Sequence, residues 1–140
     1  MSVQAILLPV FAQVALTFFL MFWMAKTRFG AVSAGHVTIS ELKRDWTNWP
    51  ERPTQISAAY HNQFQLPVLF YVLALIALVT TQADFLFVVL SWLFVILRIV
   101  HAFVHTGKND IRARFRVFAI GATVLIAMWL YVLLKLLFAL

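Results

Sequence analysis

A chain of 140 residues in which 64% are apolar and only 11% charged is far from the balance of a water-soluble domain, where about 45–50% apolar and about 25% charged residues are usual. Its formal net charge of +6 on so apolar a chain points to lipid phosphates or a small anionic ligand and away from nucleic acid. With no cysteine it has neither a disulfide framework nor a thiol nucleophile, so any thiol chemistry would have to arrive with a substrate.

Four apolar stretches, at 3–25, 57–80, 85–104 and 115–140, are each close to the roughly 20 residues that a helix needs to cross about 30 Å of hydrocarbon. They predict one all-α integral membrane domain, a four-helix transmembrane bundle running up-down-up-down. No Lys or Arg precedes the first stretch, whereas Lys26 and Arg28 follow it, so it reads as a retained helix and not a signal peptide. Residues 26–55 carry Gly30, Gly35, Pro50 and Pro53 among many charges. They read as a long loop with a short interfacial helix over 40–49, where Trp46 and Trp49 suit the headgroup boundary. The connection at 81–84 has no basic residue, but the next, at 106–114, has Lys108, Arg112 and Arg114. Because Lys and Arg are retained on the cytoplasmic side, loops one and three are expected there and both termini outside. Lys135, near the outer end of the last span, can snorkel to the interface.

The polar residues that interrupt these spans are the candidates for function. Asn62 and Gln65, three apart early in the second span, share a helix face that either binds a ligand or joins neighbouring helices by hydrogen bonds. Pro67 follows and predicts a kink, since it lacks a backbone donor and displaces the carbonyl of Gln63. Arg98 lies well inside the third span, where a guanidinium costs about 2.5 to more than 10 kcal/mol and by default marks a functional site. It either snorkels to lipid phosphate or binds an amide or an outside anion. His101 and His105 fall on the same face of that helix. They either form ordinary hydrogen bonds or join the anion site, and two nitrogens without a third ligand make a poor metal site. Arg112, Arg114 and Arg116 beyond the turn serve as topology signals or as further cations of that site.

These residues carry a resemblance to the membrane-associated proteins in eicosanoid and glutathione metabolism, the MAPEG family. Asn62-x-x-Gln65 resembles the family's Asn-x-x-Glu element, and Arg98-x-x-His101-x-x-x-His105 resembles its Arg-x-x-Tyr-x-x-x-Tyr spacing. The run from Phe64 to Tyr71 is similar to the small bacterial branch, which implies a bacterial inner membrane. The departures are Ala58 and Gln65 in place of an Arg and a Glu, and His101 and His105 in place of two tyrosines. The resemblance implies a homotrimer with glutathione as co-substrate between subunits near the cytoplasmic face, acting on a small lipophilic substrate. Asn62, Gln65, Arg98, His101 and His105 would bind the tripeptide, and Arg112 or Arg114 would stabilise its thiolate. A non-catalytic protein holding a lipid or other anionic amphiphile in that pocket is the alternative.

The expected orientation is open to a direct test in this cysteine-free chain. A cysteine replacing Lys108 is expected to resist an impermeant thiol reagent in intact cells, and one replacing Gln82 to react. The reverse labelling pattern would overturn the orientation.

Overall fold

The computed structural model describes residues 1–138. Helix α1 (Val3–Ser33) starts at Ser2, whose hydroxyl accepts the Ala5 N–H at 3.2 Å. It stops at Gly35, where φ of +75° is open to a residue without a Cβ, and the His36 N–H then closes on the Ala31 carbonyl at 3.0 Å. A short α2 (Ile39–Arg44) follows, set by a capping box between Thr38 and Glu41 that satisfies two otherwise orphaned donors.

The second crossing is broken. Helix α3 (Glu51–His61) passes into a 3-10 turn (Asn62–Phe64), and α4 (Leu66–Val79) begins beyond it. The cause is the expected one: Pro67, near the start of α4, has no N–H to give to the Gln63 carbonyl, and its ring needs that carbonyl moved aside. Helices α5 (Phe85–Thr106) and α6 (Ile111–Phe138) complete the chain. Among the described residues, four helices (α1, α3 with α4, α5 and α6) are long and apolar enough to cross a membrane. Even α5, with 22 residues, reaches about 33 Å at 1.5 Å per residue.

The long helices alternate in direction. Arg28 near the end of α1 donates to Ser57 in α3 at 3.0 Å, and Gln55 in α3 donates to the His105 carbonyl at the end of α5 at 2.8 Å. At the opposite end Lys135 of α6 reaches Asp84 before α5 at 2.8 Å. The bundle core is mainly apolar and rich in aromatic rings, with Phe70, Leu73, Phe87, Phe94 and Met128 all fully buried. The outward faces are equally apolar, including Phe11, Phe22 and Val79 at 64%, 68% and 80% exposure. Water would oppose such a surface, and lipid tails accept it.

Helix extends beyond the expected spans. Helix α1 runs to Ser33 and not to residue 25, α3 begins at Glu51 and not at 57, α5 ends at Thr106 and not at 104, and α6 begins at Ile111 and not at 115. The long loop over 26–55 therefore shrinks to 34–50, with its helix at Ile39–Arg44 instead of 40–49. Hydropathy marks the part of a helix that wants lipid, and a polar turn at either end continues the same hydrogen-bond ladder. The end of the fourth span at 140 lies outside the described residues. Lys135 does turn towards a polar end, but to a protein partner.

That partner is part of a clamp. Asp84 caps α5 by accepting the Phe87 N–H at 3.0 Å, and its other oxygen accepts from both Tyr131 and Lys135 of α6. Burial alone would raise the Asp84 carboxyl, but the bonds from Lys135, Tyr131 and Phe87 outweigh it and hold the group at about 2. Below its unfolded value of about 3.9, the carboxylate contributes stability in full above about pH 4 and loses it as pH falls towards 2. With the Asp84 side chain 41% exposed, screening leaves about 1 kcal/mol. Asp84→Asn is expected to lower the thermal midpoint in detergent at pH 7, with the gap to the unmodified protein closing by pH 2. A gap of equal size at both pH values would assign the loss to helix capping instead of charge.

Candidate functional site

The site is built where the broken helix faces α5. Arg98 projects from α5 into the protein and is only 1% exposed, so it does not snorkel. Its Nη2 donates to the side-chain oxygen of Asn62, with the Asn62 carbonyl at 3.3 Å and Gln63 Oε1 at 3.4 Å as further acceptors. The Pro67 break makes this possible, because in the 3-10 turn the Asn62 carbonyl receives only a long 3.4 Å bond from the Gln65 N–H. A regular α-helix would have occupied that oxygen with the N–H four residues on.

The amides form a chain. Gln13 of α1 donates to Gln63 Oε1 at 3.0 Å, Gln63 donates to the Ala59 carbonyl at 3.0 Å, and Asn62 donates to Gln65 Oε1 at 3.0 Å. Gln13 and Gln63 are 0% and 1% exposed, and neither is among the candidate residues that the sequence offers. Gln13 is, like Arg98, a polar side chain in the middle of an apolar run, but without a charge or a polar stripe on its helix face.

Above this network lies a cleft of about 470 Å³. Asn62, Gln65, His101, His105 and Arg114 all line it, so five of the seven expected site residues meet there. Arg98 lies behind Asn62 and does not line the cleft, and Arg112 does not either. Arg112 is exposed, on the turn that its own N–H makes with Asp110 at 3.0 Å. Arg114, two residues on, faces the other way. Its Nη1 donates to Asn109 Oδ1 at 2.7 Å, and Asn109 takes the left-handed backbone (φ 53°) that this residue type tolerates. The side chains of His101 and His105 stand edge to face at 5.8 Å, with Phe118 beside His101. Among the described residues no group of three His, Cys, Asp or Glu gathers to hold a metal.

A wider cleft of about 710 Å³ adjoins the first, sharing Ala58, His105 and Arg114. Its walls add Glu51, Gln55, Lys108 and the turn at Gly107, where a Cβ would stand 2.9 Å from the Phe103 carbonyl. Among the described residues, Nδ1 of His101 and of His105 and Nε and Nη1 of Arg98 are buried without a hydrogen-bond partner. Unpaired buried donors and acceptors are costly. The lining of the two clefts, with Arg114 and Lys108 beside amide and imidazole side chains, suits a ligand with carboxylate and amide groups.

The Arg98 network can be tested apart from any ligand. Asn62→Leu is expected to reduce stability by about 1–3 kcal/mol by removing an acceptor from a buried donor. Adding Arg98→Met should restore most of that loss, since an apolar pair of similar volume replaces the polar one. Unfolding in mixed micelles measures both. A double variant no more stable than the single one would assign the loss to packing.

The family model for MAPEG matches residues 6–134. No curated protein and no solved structure is found to match the chain. The matched region takes in all but the ends of the first and last crossings and every residue of the cleft, and the chain belongs to the MAPEG family.

Proposed function

We propose that the protein is a glutathione S-transferase or peroxidase of small lipophilic electrophiles, working in the bilayer with loops one and three on the cytoplasmic side of a bacterial inner membrane. The observation that carries this reading is the convergence of Asn62, Gln65, His101, His105 and Arg114 on one cleft. Their chemistry fits the tripeptide. Arg114 supplies a cation, the Asn62 and Gln65 side chains and the imidazoles supply donors and acceptors for amides and carboxylates, and Phe115 and Phe118 offer an apolar wall for the second substrate.

Glutathione supplies the sulfur nucleophile that the chain lacks. In conjugation its thiolate forms the new bond to the electrophilic carbon while the leaving group departs with its electron pair. The protein's part is to bind the tripeptide and to favour the thiolate over the thiol, which an adjacent cation does. Of the two candidates at the start of α6, Arg112 and Arg114, the geometry favours Arg114 for this role. Arg98 acts through Asn62 and is a positioning residue.

The cleft opens on the surface of a single chain, and we propose that a neighbouring copy closes it in a homotrimer. The second reading is a non-catalytic protein that holds a lipid or other anionic amphiphile in the same cleft. Ala58 favours it, since this small side chain lines the cleft where the family pattern has an arginine, leaving one cation fewer for the two carboxylates of glutathione.

Glutathione binding at millimolar concentration, thiolate absorbance against pH and turnover with chlorodinitrobenzene separate these readings. Arg114→Leu should leave binding measurable but lower turnover about tenfold near neutral pH, the result of about a one-unit rise in the thiol's pKa. Arg112→Leu should behave as the unmodified protein, and Arg98→Leu should lose binding because Asn62 is no longer held. Absence of saturable glutathione binding by the unmodified protein would sink the transferase reading and leave the lipid-binding one.

A further inference from the structure

At the loop-rich end of the molecule, on the other side of Trp49 from the wider cleft, the end of α1, one face of α2 and the two tryptophans after it line a third cavity of about 460 Å³. Its size is that of a small-molecule site, about 300–1,000 Å³. The floor is apolar, formed by Phe29, Val32, Ile39 and Leu42. Phe29, Ile39 and the adjacent Trp46 are 76%, 62% and 64% exposed. Ile39 and Trp46 belong to the polar connection between crossings, so their exposure is not explained by a lipid-facing helix.

The rim is cationic. Arg28 and Lys43 both line the cavity, and among the described residues that line it there is no carboxylate. The nearby acids are engaged elsewhere. Glu41 caps α2 through Thr38 at 2.7 Å, and Asp45 accepts from the Thr47 hydroxyl at 2.6 Å. Arg28 lies over the rings of Trp46 and Trp49 at 5.5 and 4.9 Å, and those rings meet edge to face at 5.8 Å. Stacking, with the bond from Arg28 to Ser57 at 3.0 Å, fixes the guanidinium at the rim. A small core of Ala31, Val37 and Leu42 supports the whole unit, so the cavity is preformed.

An apolar floor and two cations at one rim describe an amphiphile with an anionic oxygen head. We propose that this cavity binds one acidic phospholipid, its phosphate held by Arg28 and Lys43 and an acyl chain laid over Phe29 and Ile39. The lipid pairs the two cations and covers the exposed apolar side chains together. It also seats the connection between α1 and α3 on the membrane surface, independently of whether the cleft binds glutathione.

Native mass spectrometry of the delipidated full chain in mild detergent tests this, with phosphatidylglycerol, phosphatidylcholine and inorganic phosphate as probes. One phosphatidylglycerol per chain should survive activation that strips phosphatidylcholine, and millimolar phosphate should not displace it. Lys43→Gln should weaken its retention about fivefold, the effect of one surface cation on an anionic lipid. Among the described residues Lys43 has no hydrogen-bond partner, so this variant avoids the loss of the Arg28–Ser57 contact that Arg28→Gln would bring. Lys26→Gln, at the same end of α1 but outside the cavity, should leave retention unchanged. Equal retention of the two lipids would overturn the proposal, as would equal effects of Lys26→Gln and Lys43→Gln or displacement by phosphate alone. So would efficient cross-linking between copies through cysteine at Ile39, which would make the cover a second chain.

Discussion

A guanidinium held among neutral amide oxygens, in the interior of an apolar bundle, is the constraint on which the rest of this structure depends. Hydrocarbon gives Arg98 nothing in exchange for water, so acceptors must come from the protein, and each one needs its own support. The Asn62 carbonyl is available because Pro67 breaks the helix, and the Gln63 side chain is aimed by Gln13 on another helix. Three crossings are thereby fixed against one another at one depth. Interhelical hydrogen bonds in lipid are individually modest, about 0.6–2 kcal/mol, but together with side-chain packing they distinguish one alignment of apolar helices from the next.

The same arrangement divides labour between charges. Arg98 carries the charge best shielded from water and does not reach the cleft, whereas Arg114 does. An arginine next to bulk water is easily placed but weak, because solvent screens it. Setting Arg114 between the imidazole pair and the Asn109 turn gives a cation that is partly enclosed and held in direction. Arg112, though only two residues away, turns to the other side of the helix. Two residues correspond to about 200° of rotation at 3.6 residues per turn, so adjacent arginines in this sequence cannot share a task.

Much of this was legible in the residues. Length and apolarity gave the four crossings and Pro67 gave the break, while helical spacing paired Asn62 with Gln65 and set His101 and His105 on the face of Arg98, and the family resemblance joined the two sets in one site. The boundaries were not legible, because a helix does not end where its hydropathy does. The partner of Arg98 was legible only in kind: an amide was among the expected acceptors, but which amides, and the carbonyl beside them, depend on the broken helix. Gln13 was passed over for a related reason. A single polar residue in a long apolar run has no periodicity to mark it, and its meaning came from Gln63, fifty residues away. The choice between Arg112 and Arg114 needed the direction of the turn at Asn109, which is a backbone property.

Helix α5 carries Arg98, His101 and His105 near its C-terminal end, which in most helices is the first part to come loose. Here the last carbonyls, which no N–H within the helix can reach, are taken by another helix. Gln55 donates to those of His105 and Gly107, and Arg52 to that of Thr106, while Arg52 itself lies over the Trp23 ring of α1 at 5.2 Å. At its other end the helix is held by Asp84. Opening of the final turn is therefore not a local event, since it requires α3 to withdraw its side chains first. In the language of amide hydrogen exchange, the slow protons of α5 should extend into its last turn, and their protection should rise and fall with that of α3, making the two segments one cooperative unit.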